Sequence, residues 1–279
     1  MIRPITHYTD LHGFNGIISN NKIWASNTAY LNDTKELVHG IDILGEAYDR
    51  LTWTSEDAPL VNCLQNAIAQ ARDGGLPTTY VACFAKNPDS LTHWRGYCTG
   101  QGISITFDGD LLASNAGFPY AAGGGAAWLQ EVIYADEGAL GTKIEELVRM
   151  LVSRLREAVI HLGGSVESGD LPIARDFVSL ALPRIKHGGF RDEDEVRMIV
   201  QPSNPNAITG YRVKGNTLVP YLALPDLLVY GNVAPLPITS VTVGPGPDQK
   251  RTALSIQGFL KWKHFDHVTV NLSEVPFVA

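Results

Sequence analysis

"GGFRDEDEVRMIV", residues 188–200, is the stretch on which the fold turns. Six of the seven residues from Arg191 to Arg197 are charged, and an apolar alternation follows at once. In an extended chain, residues two apart face the same way. Val196, Met198 and Val200 therefore share one face, the core face of a strand. Glu193, Glu195, Arg197 and Ile199 share the other, and Asp192 and Asp194 fall to a turn and to solvent. Two meanings remain open for these charges. One is an exposed strand edge whose Glu195–Arg197 pair contributes less than about 1 kcal/mol. The other is a rigid strand beside a cleft, presenting Glu195 to a substrate hydroxyl or to developing positive charge.

Outward from this strand, short apolar runs and helical periods alternate irregularly. "RPITHYT" (3–9) reads as a strand, and "DLHGFNGIIS" (10–19) as a short helix capped by Asp10, with Leu11, Phe14, Ile17 and Ile18 on one face. "KIWAS" (22–26) is extended. Residues 34–50 and 59–72 carry apolar residues at helical spacing. "TTYVACFA" (78–85) is rich in β formers. "PDSLTHWRGY" (88–97) follows as a helix with Pro88 at its start, then "GISITFD" (102–108) as a strand. "WLQEVIYA" (128–135) predicts a strand, 138–161 a long helix and 172–184 a shorter one. Beyond the opening stretch come the strands "TLVPYL" and "ITSVTVG", a helix over 248–260, and a last strand, "HVTVNL". "AAGGGAA" (121–127) reads as a loop. Without a regular βαβ rhythm, the prediction is an α+β fold with a split, mostly antiparallel β-sheet core. Residues 1–279 form a single domain in this reading, with helical insertions around 34–75 and 138–184.

Composition limits the partners. A net charge of −7, without any Lys/Arg run, argues against a charge-driven coat on DNA and leaves a local nucleic-acid cleft open. "MIRPITHYTD" has no apolar signal region, and no window nears the roughly 18 apolar residues of a spanning helix. The expectation is a cytoplasmic protein without membrane contact. Cys63, Cys83 and Cys98 contain no CxxC and read as reduced thiols.

Two further clusters carry chemistry. His7-Tyr8-Thr9 ends the first strand and offers a donor and an acceptor to a bound sugar, or a structural histidine. In "CFAKNPDSLTHWRGY", Phe84 ends a strand, and Trp94 and Tyr97 lie three apart on a helix. The pair is either core or a slot for a flat ring, with Ser90 adding a hydrogen bond. "VGPGPDQ" (243–249) lacks the phosphate-loop and dinucleotide patterns and reads as a turn. His264 and His267 have no third ligand in view, so no metal is expected.

Several of these pieces recur together, in order, in one bacterial family. "HYT", "GIISNNKIWASNTAYLND", "ACFAKNPDSLTHWRGYCTGQGISITFD", "IKHGGFRDEDEVRMIV" and "ITSVTVGPG" resemble the domain-of-unknown-function family numbered 2971 across nearly the whole chain. Leu31-Asn32-Asp33 with Glu36 stand for its "LND.E" motif. Lys186, His187, Phe190, Glu193, Glu195 and Arg197 stand for its "KH..F..E.E.R" block. More distantly, the order of parts is similar to ADP-ribosyltransferases of the diphtheria-toxin and poly-ADP-ribose-polymerase type and to DarT toxins. His7 with Thr9 matches their opening "H.T", the "CFA" region their "YFA…S..Y" with Cys83 in place of the tyrosine, and Glu195 their late catalytic glutamate. Glu193-Asp194-Glu195 also reads as an ExE pair.

The resemblance implies a transferase that uses NAD as substrate, without a metal. It would act as a bacterial toxin or phage-defence effector on a protein or nucleic-acid acceptor, with a neutralising partner. Glu195 would bond the 2′-hydroxyl of the nicotinamide ribose, Glu193 orient the acceptor and His7 hold the adenosine ribose. Tyr8, Thr9, Phe84, Ser90, Trp94, Tyr97 and Arg197 complete the implied NAD site, with nicotinamide stacked between Trp94 and Tyr97. The Cys83 departure keeps a non-catalytic ADP-ribose-binding module in view. The acidic run with Arg197 keeps a metal-dependent nuclease as a lesser alternative, with Arg a poor replacement for a Lys that must lose its proton.

Overall fold

The computed structural model describes residues 4–31, 35–98, 100–116, 125–136, 138, 140–162, 171–202, 204, 206–224, 228–229, 232–233 and 235–276. Asn32 and Asp33 of the "LND" motif, and residues 121–124 of the glycine-rich stretch, lie outside them. In chain order the elements are β1 (Ile5–Asp10), α1 (Leu11–Asn20), β2 (Ile23–Asn27), α2 (Lys35–Arg50), α3 (Ala58–Arg72), β3 (Tyr80–Ala85) and α4 (Leu91–Tyr97). Then come β4 (Gly102–Phe107), α5 (Gly109–Ala116), β5 (Gly125–Glu131), β6 (Ile133–Ala135), α6 (Thr142–Leu162), α7 (Pro172–Ala181) and β7 (Ile185–His187). The C-terminal part holds β8 (Glu195–Pro202), β9 (Gly210–Lys214), β10 (Thr217–Leu224), β11 (Leu228–Val229), β12 (Asn232–Val233), β13 (Ile238–Val243), α8 (Gln249–Trp262) and β14 (Thr269–Leu272).

Helices and a mostly antiparallel sheet are mixed as the irregular alternation predicts. Among the described residues the main sheet has ten strands, and β3 is its hub. Along one edge β3 pairs with β8 over its full length, from Tyr80↔Val200 to Ala85↔Glu195, and β8 pairs in turn with β5. Two strands share the other edge. β1 meets β3 only at Thr6↔Ala85, while β2 meets it at Ser26↔Val81 and Asn27↔Tyr80. Beyond Thr6, β1 leaves β3 and stays with β4, which leads to β13 and to the parallel β14. β2 leads the other way, to β10 and β9. The sheet therefore forks, and the fork opens beside Ala82–Phe84.

The alternation read from 196 to 200 holds on one face. Val196, Met198 and Val200 join Tyr80, Ala82 and Phe84 in the larger apolar core, closed by α1 and α8. Asp10 caps α1 by accepting a hydrogen bond from the Gly13 amide at 2.8 Å, which satisfies one of the free N–H groups of the first turn. A second apolar cluster is built from α2, α3, α6 and α7 with β6 and β7, and so gathers both predicted helical insertions into one layer.

Several boundaries differ from the sequence reading. The strand expected over 128–135 breaks at Val132. β5 starts earlier, within the stretch read as a loop, and joins the main sheet, whereas β6 pairs in parallel with β7. Val132 still donates its backbone N–H to the Glu195 carbonyl at 3.0 Å, but Glu195 is the first residue of β8, so the ladder ends there. The helix expected over 172–184 ends at Ala181, and a 3-10 turn over Leu182–Arg184 follows with Pro183 inside it. α4 starts three residues after Pro88, with Ser90 at its N-cap. The strands β7, β9, β11 and β12 and the helix α5 are not expected from the pattern.

Candidate functional site

β8 corrects the first expectation about Glu195 and Arg197. It lies between β3 and β5, and its second face is covered by α7 and the Leu182–Arg184 turn. Arg197 is only 2% exposed and Glu195 only 6%. The charges on this face form a buried layer, not a solvated edge. Asp192 and Asp194 are exposed as expected, and Asp194 pairs with Lys86 at 3.1 Å.

Glu193 does not belong to the strand. It ends a 3-10 turn over Gly188–Glu193, and Asp194 follows in the left-handed region at φ 40°. Asp is among the few side chains that tolerate this backbone. The kink brings two carboxylates that flank it onto one ammonium. Lys186 on β7 donates from Nζ to Glu193 Oε2 at 2.6 Å and to Glu195 Oε2 at 3.1 Å. Arg197 donates from Nε to Glu195 Oε1 and from Nη2 to Glu195 Oε2, each at 2.8 Å. Its Nη1 reaches Glu36 of α2 and the Pro183 carbonyl, the latter at 2.8 Å. Three carboxylates thus surround two cations, which leaves the cluster one formal negative charge.

Burial opposes ionisation of Glu195, but Arg197, Lys186 and the Cys83 thiol outweigh it and hold its carboxyl at about 2. Burial likewise opposes the charge on Lys186, and Glu195 and Glu193 more than restore it. Glu195 is also held through its backbone, whose N–H donates to the Tyr134 hydroxyl of β6 at 2.8 Å. Burial raises that hydroxyl to about 12, so it stays protonated. Cys83 Sγ lies against the Glu195 carboxylate, and burial followed by Glu195 drives its pKa well up. That makes it a neutral thiol and a poor nucleophile.

These carboxylates open into a cleft at the fork, with about 340 Å³ of empty space, part of it open to solvent. Thr6, His7 and Tyr8 of β1 form one wall and Cys83, Phe84 and Ala85 of β3 another. Glu193, Glu195, His93 and Tyr97 close it. His7 lies 6.0 Å from the Phe84 ring and donates from Nδ1 to the Cys83 carbonyl at 2.9 Å. Tyr97 donates its hydroxyl to Glu193 Oε2 at 2.9 Å, and burial with the nearby carboxylates raises its pKa. Glu193 Oε1 accepts no hydrogen bond among the described residues.

Of the residues singled out in the sequence, the fold brings His7, Tyr8, Phe84, Tyr97, Glu193 and Glu195 to this cleft. It does not bring Trp94, Ser90, Thr9 or Arg197. Trp94 is buried against Tyr8 and Ala85 and donates its indole N–H to Asp89 at 2.7 Å. The aromatic partner of Tyr97 is instead His93, four residues earlier, with ring centroids 5.7 Å apart. His93 in turn stacks on Tyr8 at 4.5 Å. Ser90 contributes its backbone N–H to the Tyr8 hydroxyl, which itself donates to the Asn87 carbonyl at 2.8 Å. Tyr8 thus pins the loop before α4 and has no proton left to offer a ligand. Thr9 meets the cleft with nothing and accepts a thiol hydrogen bond from Cys98 on its carbonyl. Arg197 lies beneath Glu195, as a positioning group.

Lys186, Glu36, His93, Cys83 and Tyr134 were missed as site residues. Lys186 and Glu36 stand inside the quoted "KH..F..E.E.R" and "LND.E" blocks, so a signal was present. Tyr134 carried none.

No protein-family model, curated protein or solved structure matches the chain. Among the described residues no three His, Cys, Asp or Glu side chains are grouped to hold a metal, and no helix is long and apolar enough to cross a membrane.

Proposed function

We propose that this protein is an ADP-ribosyltransferase acting on NAD. Its main support is the pair Glu193 and Glu195, clamped by Lys186 at the mouth of the fork in a cleft that His7 also lines. A site that breaks the nicotinamide–ribose bond must stabilise positive charge on the ribose as the bond loosens. The carboxylate-rich cluster carries a surplus negative charge for that purpose in a place shielded from water. The stacked rings of His93 and Tyr97 offer an aromatic wall to the flat nicotinamide at the mouth of the cleft.

In this reading the C1′–N bond breaks, and its electron pair leaves with nicotinamide. Glu195, anionic and fixed by Arg197, bonds the 2′-hydroxyl and faces the oxocarbenium-like ribose. The acceptor's lone pair forms the new bond to C1′, and its proton passes to Glu193, whose Oε1 is available. The acceptor is a protein side chain or a nucleic-acid base, and the roles of bacterial toxin or phage-defence effector, with a neutralising partner, stay with the family resemblance.

One observation favours a second reading, a non-catalytic nucleotide-binding module. Both oxygens of Glu195 already accept hydrogen bonds from Arg197 and Lys186. A metal-dependent nuclease has less support, because Lys186 and Arg197 hold the positions among Glu36, Glu193 and Glu195 that a divalent ion needs.

The test is release of labelled nicotinamide from NAD. Wild type should release it, and folded Glu195→Gln should be slower by roughly 100-fold or more, as when a group facing transition-state charge is removed. Equal rates overturn the role of Glu195. Binding of ADP-ribose without release by wild type selects the module reading.

A further inference from the structure

In the transferase reading the acid cluster serves one end of a dinucleotide, and the enclosed part of the cleft, about 60 Å³, is far too small for the rest of it. The same face of the sheet continues past it. Strand register fixes which residues share that face, because directly opposed residues point the same way. Glu195 is opposite Ala85, and two residues along β3 Cys83 and Val81 follow. Val81 is opposite Ser26, and Ser26 opposite Tyr221. Two residues from Tyr221 is Val219, opposite Arg212 on the edge strand β9. Trp24 and Lys214 complete the set by the same alternation.

Arg212 reaches across β10 and donates from Nη2 to Ser26 Oγ at 2.9 Å. Its Nε is buried and donates to nothing among the described residues. Lys214 donates from Nζ to the Tyr30 carbonyl at 3.3 Å. Neither forms an ion pair with a carboxylate among the described residues, in a chain with seven more acids than bases. Burial holds both below their usual range, and Arg212 adds to the downward shift at Lys214 and at His7. Next to them Trp24, 41% exposed, stacks on Tyr221 with centroids 4.2 Å apart. Gly210 makes room for that ring, since a Cβ there falls 2.8 Å from Tyr221 Oη.

We infer that this β2–β10–β9 wing is the seat of a nucleoside diphosphate, with the diphosphate on Arg212 and Lys214 and the base stacked on Trp24. The inference rests on the transferase reading and deepens it. One face of the forked sheet then presents negative charge to the ribose that becomes cationic and positive charge to the diphosphate. Arg212 is only half-buried and has no carboxylate partner among the described residues, so its guanidinium is available for a charge-assisted bond to phosphate oxygen. An exposed indole provides a stacking surface for a base.

The experiment is calorimetry with ADP and with inorganic pyrophosphate on the full chain. ADP should bind wild type, and Arg212→Gln should weaken it roughly tenfold or more, as for one charge-assisted bond. Arg212→Lys should restore part of this, and Lys214→Gln gives a second variant if Arg212→Gln does not fold. Trp24→Ala should weaken ADP and leave pyrophosphate unchanged. Failure of wild type to bind ADP, or equal binding by folded Arg212→Gln, overturns the inference. So does a single-stranded oligonucleotide that occupies Trp24 without competition from ADP. If wild type releases nicotinamide while Arg212→Gln keeps the same KM for NAD, the transferase reading stands and the wing assignment falls. If ADP binding depends on Arg212 and no nicotinamide is released, the wing stands and the transferase reading falls.

Discussion

The Nδ1–H of His7 donates to the carbonyl oxygen of Cys83 across 2.9 Å, where β1 has already left β3. A side chain thus takes the place of the ladder bond that the fork removes, and it serves an otherwise unpaired buried carbonyl. Because a carbonyl can only accept, Nδ1 carries the hydrogen and Nε2 remains an acceptor for a ligand hydroxyl. Burial holds the ring below the usual histidine range, with Arg212 adding to the shift, so it is neutral near pH 7.

His7→Ala leaves the Cys83 carbonyl without its partner, and a loss of about 1–3 kcal/mol in urea unfolding is expected. His7→Asn keeps a donor near Nδ1 and should recover much of that stability. It has no counterpart to Nε2, so nicotinamide release should stay low in both variants. Full activity in His7→Asn argues against any contact between Nε2 and substrate.

Lys186→Met removes the ammonium that Glu193 and Glu195 share. Breaking a buried ion cluster by deleting one partner leaves uncompensated charge and typically costs about 3–5 kcal/mol. The loss should shrink at acid pH, where a carboxylate can take up a proton instead. A melting temperature equal to wild type at pH 7 contradicts the clamp.

Trp94 and Tyr97 separate packing from chemistry. Trp94 is buried with Tyr8 and Ala85 away from the cleft, whereas Tyr97 bonds Glu193 inside it. Trp94→Ala should therefore destabilise by about 3–5 kcal/mol, with turnover per folded molecule retained. Tyr97→Phe should stay folded and lose turnover, because Glu193 Oε2 forfeits a donor. The reverse pattern restores the Trp94 slot read from the sequence.

That slot also marks how far sequence reasoning reached. Residues three apart on a helix are 60° apart around its axis, and those four apart only 40°. Trp94 and Tyr97 straddle the boundary between core and cleft, while His93 and Tyr97 share the cleft side. The core face of β8 was legible because alternation is local. The fate of its other face was not, since Glu195 and Arg197 read alike on a solvated edge and in a buried charged layer. Glu36, 161 residues before Arg197, and the helical layer above it decide that question. Arg212 gave no signal at all in "GYRVK", because its importance comes from reaching across β10 to Ser26.

Stability should fall in two steps as pH is lowered. For His7 and His93 burial is the main cause of a depressed pKa; Glu193 and Glu195 oppose the shift at His93, and Lys186 adds to it. The unfolded chain then binds these protons first, so stability is full above the ordinary histidine value of 6.5 and declines below it. Glu195 acts in the acid range. Its carboxyl sits at about 2 in the fold against 4.5 ordinarily, so the stability it contributes is present above pH 4.5 and is lost from there down to about 2. Melting temperatures taken from pH 8 to pH 3 should show a plateau, a decline beginning near 6.5 and a steeper one below 4.5. Glu195→Gln should flatten the second decline and leave the first in place. An unchanged acid limb in that variant means that Arg197 and Lys186 do not hold Glu195 ionised.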